Sequence, residues 1–340
     1  MVTSTSHAAR PATPNVLLEN GLTRIANVPK LSWRTCTQST FAGALAAATA
    51  VTDHPLSARD IQGFTALAFR TRWLYYEGTR RWCPSCPVGE CQEEMDAVAR
   101  NLGWRLDCSM GPDEGKLPPQ RRAQIAAAID GGIPSVIYDP TWNCAVAYGQ
   151  RAAGQALLVD GYGDLDGEIA ADQLPPFAVL LVEYRPVPDR RRAVRDALQM
   201  AVANWRTDHK HNGAATYWYG RAAYEHWIDD VAHAELTAEA SPCFATWWNV
   251  DVMLDARRLG GEWLAEAASE FGAADADHLR RAAELCTDVH HVLANAWFGG
   301  RMDGDRAKWT AEYRAGIAAV LRQAQGLEAR AAEELAAVAG

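Results

Sequence analysis

Three groups of residues in this chain have types and spacings that could do chemistry. Cys36 lies in WRTCTQSTFAGAL, just ahead of an Ala-rich stretch that reads as a helix. A helix N-terminus favours a thiolate, because backbone N–H groups and the macrodipole stabilise negative charge. Gln38, two residues on, could donate to an oxyanion. A cysteine nucleophile needs a base, and the base needs an orienting group. His54 in TDHPLS reads as a loop residue, and His226, His290 and His291 as packing or surface residues of helices. His209 and His211 in DHKHNG could bind a metal, but no cysteine or carboxylate accompanies them in a recognised spacing. Asp139 and Asp160 follow strand-like runs, where functional groups often project. Turn capping is the ordinary role of an aspartate there.

The third group is WCPSCPVGEC, residues 82–91, with Cys83, Cys86 and Cys91. It supplies one C-x-x-C hook where structural zinc usually takes two. It has no βαβ surroundings of a thioredoxin type. A Cys-rich metal loop therefore ranks behind a structural loop in which Cys83 lines a pocket.

The elements that must position these residues change character near residue 187. Phe41–Val51 reads as a helix capped by Ser39 or Thr40, and a second helix, taken to run to residue 74, starts at Ser57 with Asp60 three residues on. Residues 92–102 and 118–130 read as helices. The runs 134–138, 144–149, 155–164 and 177–184 read as antiparallel strands behind a helical layer. PVPDRRR, residues 186–192, marks a boundary. Beyond it, 189–206, 215–234, 242–271, 276–298 and 305–338 show the helical period, with 208–213 as a link between helices. The expected division is a mobile tail (1–30), an α+β domain (31–186) and an all-α domain (187–340).

Composition narrows the partners. The 340 residues are 49% hydrophobic and 22% charged, with a net charge of −9. An acidic chain without a basic block argues against nucleic acid and anionic membrane surfaces. No apolar run approaches the roughly 18 residues of a membrane span, and the polar start is unlike a secretory signal. A cytoplasmic protein with reduced cysteines is expected. The 13 tryptophans suit a core or a pocket for bulky ligands.

The run TFAGALAAATAVTDHPLSARDIQGFTALAFR resembles the N-terminal domain of the butirosin biosynthesis protein H family, whose fold is similar to bacteriocin-processing and papain-like cysteine peptidases. GIPSVIYDPTWNCAVAYGQRAAGQALLVDGYGD resembles the second half of that fold. YWYGRAAYEHW and DVMLDARRLGGEWL resemble the family's helical extension. The resemblance implies a papain-like α+β domain followed by helices. It also implies bacterial natural-product tailoring by acyl or amide transfer, from a carrier-bound acyl group to an amine. Counted back from Ser57, the nucleophile position falls nearer Ser39–Thr40 than Cys36. The histidine position falls on Trp142 or Asn143, ahead of Tyr148–Gly149. Asp160 matches the third position.

Cys36, Gln38 and Asp160 are therefore the expected catalytic residues. Ser39, Thr40, Cys83, Trp142, Asn143 and Tyr148 are expected to touch substrate, a small molecule or peptide that a carrier protein could present. No metal and no cofactor are expected. A degenerate relative that binds ligand in a Trp-rich cleft without turning it over is the competing reading, and a metal protein built on the Cys-rich loop a third.

Overall fold

The computed structural model describes residues 15–33, 35–76, 79–81, 91–111, 115–163, 165–212, 215–233, 242–296 and 309–340. Cys83 and Cys86, and most of the loop that carries them, lie outside these residues. In chain order the elements are β1 (Val16–Glu19), β2 (Leu22–Ile25), α1 (Thr40–Thr49), α2 (Ala58–Phe64), β3 (Arg72–Tyr76), β4 (Thr79–Arg81), α3 (Cys91–Leu102), β5 (Trp104–Met110), α4 (Pro119–Asp130), β6 (Ser135–Tyr138), β7 (Cys144–Arg151), β8 (Ala156–Asp160), β9 (Asp166–Ala170) and β10 (Phe177–Tyr184). They continue as α5 (Arg190–Arg206), β11 (His209–Asn212), β12 (Ala215–Tyr219), α6 (Gly220–His233), α7 (Pro242–Ala267), α8 (Ala273–Ala296) and α9 (Ala311–Ala339). The protein is a mixed α+β chain. Among the described residues, no helix is long and apolar enough to cross a membrane.

The chain divides into two compact units, each discontinuous in sequence. The first comprises residues 1–35, 44–55 and 107–181, and the second 36–43, 56–106 and 182–340.

The first unit is built on a sheet of order β1-β2-β7-β6-β10-β5, with β8 on β7 and β9 on β8. β7 organises it. One edge of β7 pairs with β6 over residues 144–147 and with β2 over 149–151. Its other edge pairs antiparallel with β8, with a register shift between Ala147 and Gly149. An extra residue in one strand bends the ladder and re-aims a side chain, and here that residue is Tyr148. The core gathers Ile125 and Ile129 of α4 with Ile137, Ala145, Leu157 and Val159 of the sheet. Residues 16–25, expected within a mobile tail, instead form the β1–β2 hairpin. Its turn is Asn20–Gly21, both at positive φ (50° and 75°), the conformation that Asn-Gly favours in a two-residue hairpin.

In the second unit the helices pack around an aromatic core. Trp73 and Trp227 stack at 5.2 Å with Tyr224, Met253, Val289, Leu293 and Leu321 around them. Each buried indole N–H needs an acceptor: Trp73 Nε1 donates to Asp230 at 2.7 Å and Trp227 Nε1 to Thr246 at 2.9 Å. The helical period of α7 and α9 resolves into faces buried at Val252, Ala256, Leu259 and Trp263, and at Ile317 and Leu321, with Tyr313 half-buried beside the latter pair. Ser57 caps α2 by accepting from Asp60 N and returning a bond to the Asp60 carboxylate at 2.8 Å. A Cβ on Gly63 would stand 2.4 Å from the Trp263 ring, so only glycine lets α2 approach α7 so closely.

The second unit also holds a sheet of order β11-β12-β3-β4, where three expectations change. The second helix stops at Phe64 and does not run to residue 74: Ala66 turns left-handed (φ 57°) and Arg72–Tyr76 pairs as a strand. Residues 215–219, read as helical, alternate buried and half-buried with a period of two. Residues 209–212, read as a helix link, form the edge strand paired to them. Aromatic and β-branched residues that alternate across a half-buried sheet satisfy a strand better than a helix. β5 and β9 are further strands that the apolar runs did not mark.

Candidate functional site

In the second unit Cys36 is a half-buried thiol, whereas the thiols of Cys243 and Cys286 are buried. Cys36 opens the turn that leads into α1. Ser39 caps that helix: its carbonyl accepts from Gly43 N at 3.0 Å, and its Oγ from Ala42 N at 3.4 Å. Thr40 is the buried first residue of the helix.

The turn is pinned from α7, by a residue that sequence reasoning missed. The Asp255 carboxylate accepts from the Thr37 hydroxyl and from the Gln38 backbone N–H, the latter at 2.9 Å. Gln62 Nε2 donates to Thr37 Oγ1 at 2.6 Å, and Ser39 N to the same oxygen at 3.2 Å. Arg258 Nη2, 2.8 Å from Asp255 Oδ1, shares its charge. Asp255 lies 217 residues from Gln38 in sequence, and no local motif marks it.

This arrangement fixes the backbone and also uses its donors. The N–H groups of Gln38 and Ser39 are engaged. The acceptor of the Gln38 N–H is a carboxylate, so that donor is not open to a developing oxyanion.

Beneath the turn is a cavity of about 10 Å³, lined among others by Ser39, Gln62, Arg70, Thr71, Arg72 and Asn249. That volume accommodates one water. Asn249 is 2% exposed and its Nδ2 has no protein partner among the described residues. At the start of α7, Phe244, Trp247 and Trp248 form a half-exposed aromatic group, with ring centroids 5.3–6.0 Å apart.

The candidate bases of this unit have their own settings. His290 Nδ1 is 2.9 Å from Leu254 O. A carbonyl only accepts, so Nδ1 carries the proton and Nε2 is the basic nitrogen. His226 stacks on Trp218 at 3.8 Å, and its Nδ1 is 3.4 Å from the Tyr75 hydroxyl, which donates to Asp230 at 3.1 Å.

In the first unit Asp160 ends β8 and is 3% exposed. It accepts from Leu31 N at 2.7 Å and faces Lys30 Nζ at 3.4 Å. Burial pushes its carboxyl above the usual range, with Leu31 N–H and Lys30 pulling the other way. Lys30 also meets Asp166 at 2.7 Å, which holds that carboxyl low. Tyr148 donates to Asp166 at 3.2 Å, with the Lys30 ammonium 5.5 Å from its ring centre. Asp160 and Tyr148 thus meet through Lys30, and Asp160 anchors the segment before Cys36.

Trp142 and Asn143 belong to a separate loop of that unit. Asp139 Oδ1 accepts from Thr141 N, Thr141 Oγ1 and Asn143 N at 2.7–3.0 Å. This is turn capping by an aspartate. The loop holds Trp142 at φ 65° and leaves the residue 49% exposed. A bulky residue at positive φ is costly and persists only where its surroundings enforce it. The hydrogen bonds of Asp139 supply that enforcement.

No family model matches the chain, and no curated protein matches it.

Proposed function

We propose that this protein binds a small molecule or peptide at the Cys36 turn, on a scaffold similar to papain-like peptidases, without peptidase-type turnover. The observation that carries this reading is the engagement of the turn by Asp255. Acyl transfer through a thiolate gains most from donors left open for developing negative charge. Here the Gln38 and Ser39 N–H groups are already bonded and a carboxylate stands beside them. A rigid turn suits recognition, since a pre-ordered site loses little freedom on binding. The half-exposed rings of Phe244, Trp247 and Trp248 on α7, the helix that carries Asp255, suit a bulky or aromatic ligand.

The test is native mass spectrometry of the purified full chain, with tryptophan fluorescence as the second readout. The expected result is a retained ligand that survives Cys36→Ala and is lost in Asp255→Ala. Loss of the ligand in Cys36→Ala alone would sink the proposal.

A second reading is natural-product tailoring by acyl or amide transfer through Cys36, with a carrier protein presenting the acyl group. It is favoured by the half-buried thiol three residues ahead of the α1 cap. In that reaction the Cys36 sulfur forms a thioester and expels the carrier thiol. The acceptor amine then forms the amide and returns the thiol. His290 is the base this reading would draw on, because its tautomer leaves Nε2 to take the proton.

A further inference from the structure

The pairing of β11 with β12 fixes how the two histidines of DHKHNG stand to one another. A strand places residues two apart on one face, so His209 and His211 lie side by side, both exposed. Lys210, between them, points to the opposite face, where its Nζ meets Glu93 at 3.0 Å and the Tyr219 ring at 5.2 Å.

The two imidazoles have centroids 4.8 Å apart, with planes inclined at 68°. Two imidazoles on one metal, each with a metal–nitrogen bond of about 2.1 Å and an angle of about 90–110° between them, have centroids ~4.5–5.2 Å apart. The observed spacing falls in that interval. A metal-bound histidine usually engages its other ring nitrogen in a hydrogen bond. His211 Nδ1 is 3.1 Å from the hydroxyl of Thr216, its cross-strand partner. A hydroxyl that accepts from Nδ1–H leaves Nε2 with the lone pair. His209 is steadied by Trp218, whose ring lies 5.1 Å away.

The geometry points to a two-histidine site on β11 for a divalent transition metal of the imidazole-preferring class, such as nickel, zinc or copper. Among the described residues no group of three or more His, Cys, Asp and Glu is placed to hold a metal. The pair therefore supplies two ligands, and solvent or a bound partner completes the sphere. The site is independent of the Cys36 turn.

Calorimetric titration of Ni²⁺ into the untagged full chain tests it, with tryptophan quenching as a parallel readout because Trp218 adjoins His209. One Ni²⁺ is expected to bind. His209→Ala and His211→Ala should each weaken binding at least tenfold, a loss comparable to those seen when a metal site loses a supporting group. His290→Ala should leave it unchanged. Both histidines are exposed, so neither variant threatens the fold. No binding at about 1 mM metal, or wild-type affinity in either variant, overturns the proposal.

Discussion

At the scale of single residues, the cysteines separate by burial. Cys36 and Cys108 are half-buried, whereas Cys144, Cys243 and Cys286 are buried. Burial pushes the Cys286 thiol up to about 12, so it stays protonated and unreactive near neutral pH. Iodoacetamide followed by mass mapping should label Cys36 in the native protein and spare Cys286; label on Cys286 would contradict the described burial. Lys30 gives a second prediction, with a sign. Lys30→Met removes a cation that opposes the upward shift of the Asp160 carboxyl and holds Asp166 low. The folded state then favours protonated Asp160 more strongly. The loss of stability is largest at neutral pH and shrinks as pH falls towards the carboxylate range, where both states are protonated. Lys30 is 59% exposed, so the loss should stay under about 1 kcal/mol. Urea denaturation at pH 7 and pH 4 measures it, and a deficit that grew on acidification would refute the assignment.

At the scale of elements, α7 carries more of the second unit than any local motif suggests. It positions Asp255 at the Cys36 turn, and Arg257 in a fully buried network. Arg257 Nε pairs with Glu328 of α9 at 2.6 Å, and its other nitrogens donate to Ala68 O at 2.7 Å and Thr71 Oγ1 at 2.6 Å. Breaking such a pair leaves an uncompensated buried charge. Glu328→Ala should cost about 3–5 kcal/mol, whereas Arg257→Met with Glu328→Leu should recover most of it. Denaturant midpoints of the two variants decide this, and equal losses would show that packing, not charge, governs the site. Asp255→Ala should cost about 1–3 kcal/mol, because Thr37 and Gln38 N–H lose their acceptor. Much of this level was legible in the sequence. The Ser57–Asp60 cap, the buried stripes of α7 and α9, and strands β6, β7, β8 and β10 follow from capping chemistry and periodicity. The Asn20–Gly21 hairpin was legible too, but its short strands were read as tail. Residues 72–76 and 215–219 were harder, because aromatic runs fill a helix or a half-buried strand equally well until pairing decides. Asp255, Arg257 and Glu328 were not legible, since each gains its role from partners far away in the chain.

At the scale of the whole chain, two units are each woven from separate segments, and the candidate residues fall on both. The turn of Cys36, Gln38, Ser39 and Thr40 belongs to the second. The Lys30–Asp160–Tyr148 cluster and the Trp142–Asn143 loop belong to the first. The tryptophans likewise divide by role. Trp73, Trp227, Trp263 and Trp309 are buried, whereas Trp142 is 49% exposed and Trp247 and Trp248 are half-exposed. The first four should hold the fold, and substitution of Trp73 or Trp227 by Ala should cost about 3–5 kcal/mol. Trp247 and Trp248, half-exposed on α7, are the rings whose loss should affect binding more than stability.

On the proposed reading, the Cys36 turn recognises a ligand and does not carry an acyl group. Incubation with p-nitrophenyl acetate, followed by intact-mass and peptide mapping, tests it most directly. The expected result is no burst of nitrophenol, acetylation of Cys36 no faster than that of half-buried Cys108, and the same release rate in Cys36→Ala. A one-equivalent burst that places acetyl on Cys36 and disappears in Cys36→Ala would contradict the claim and establish the thiol as a nucleophile.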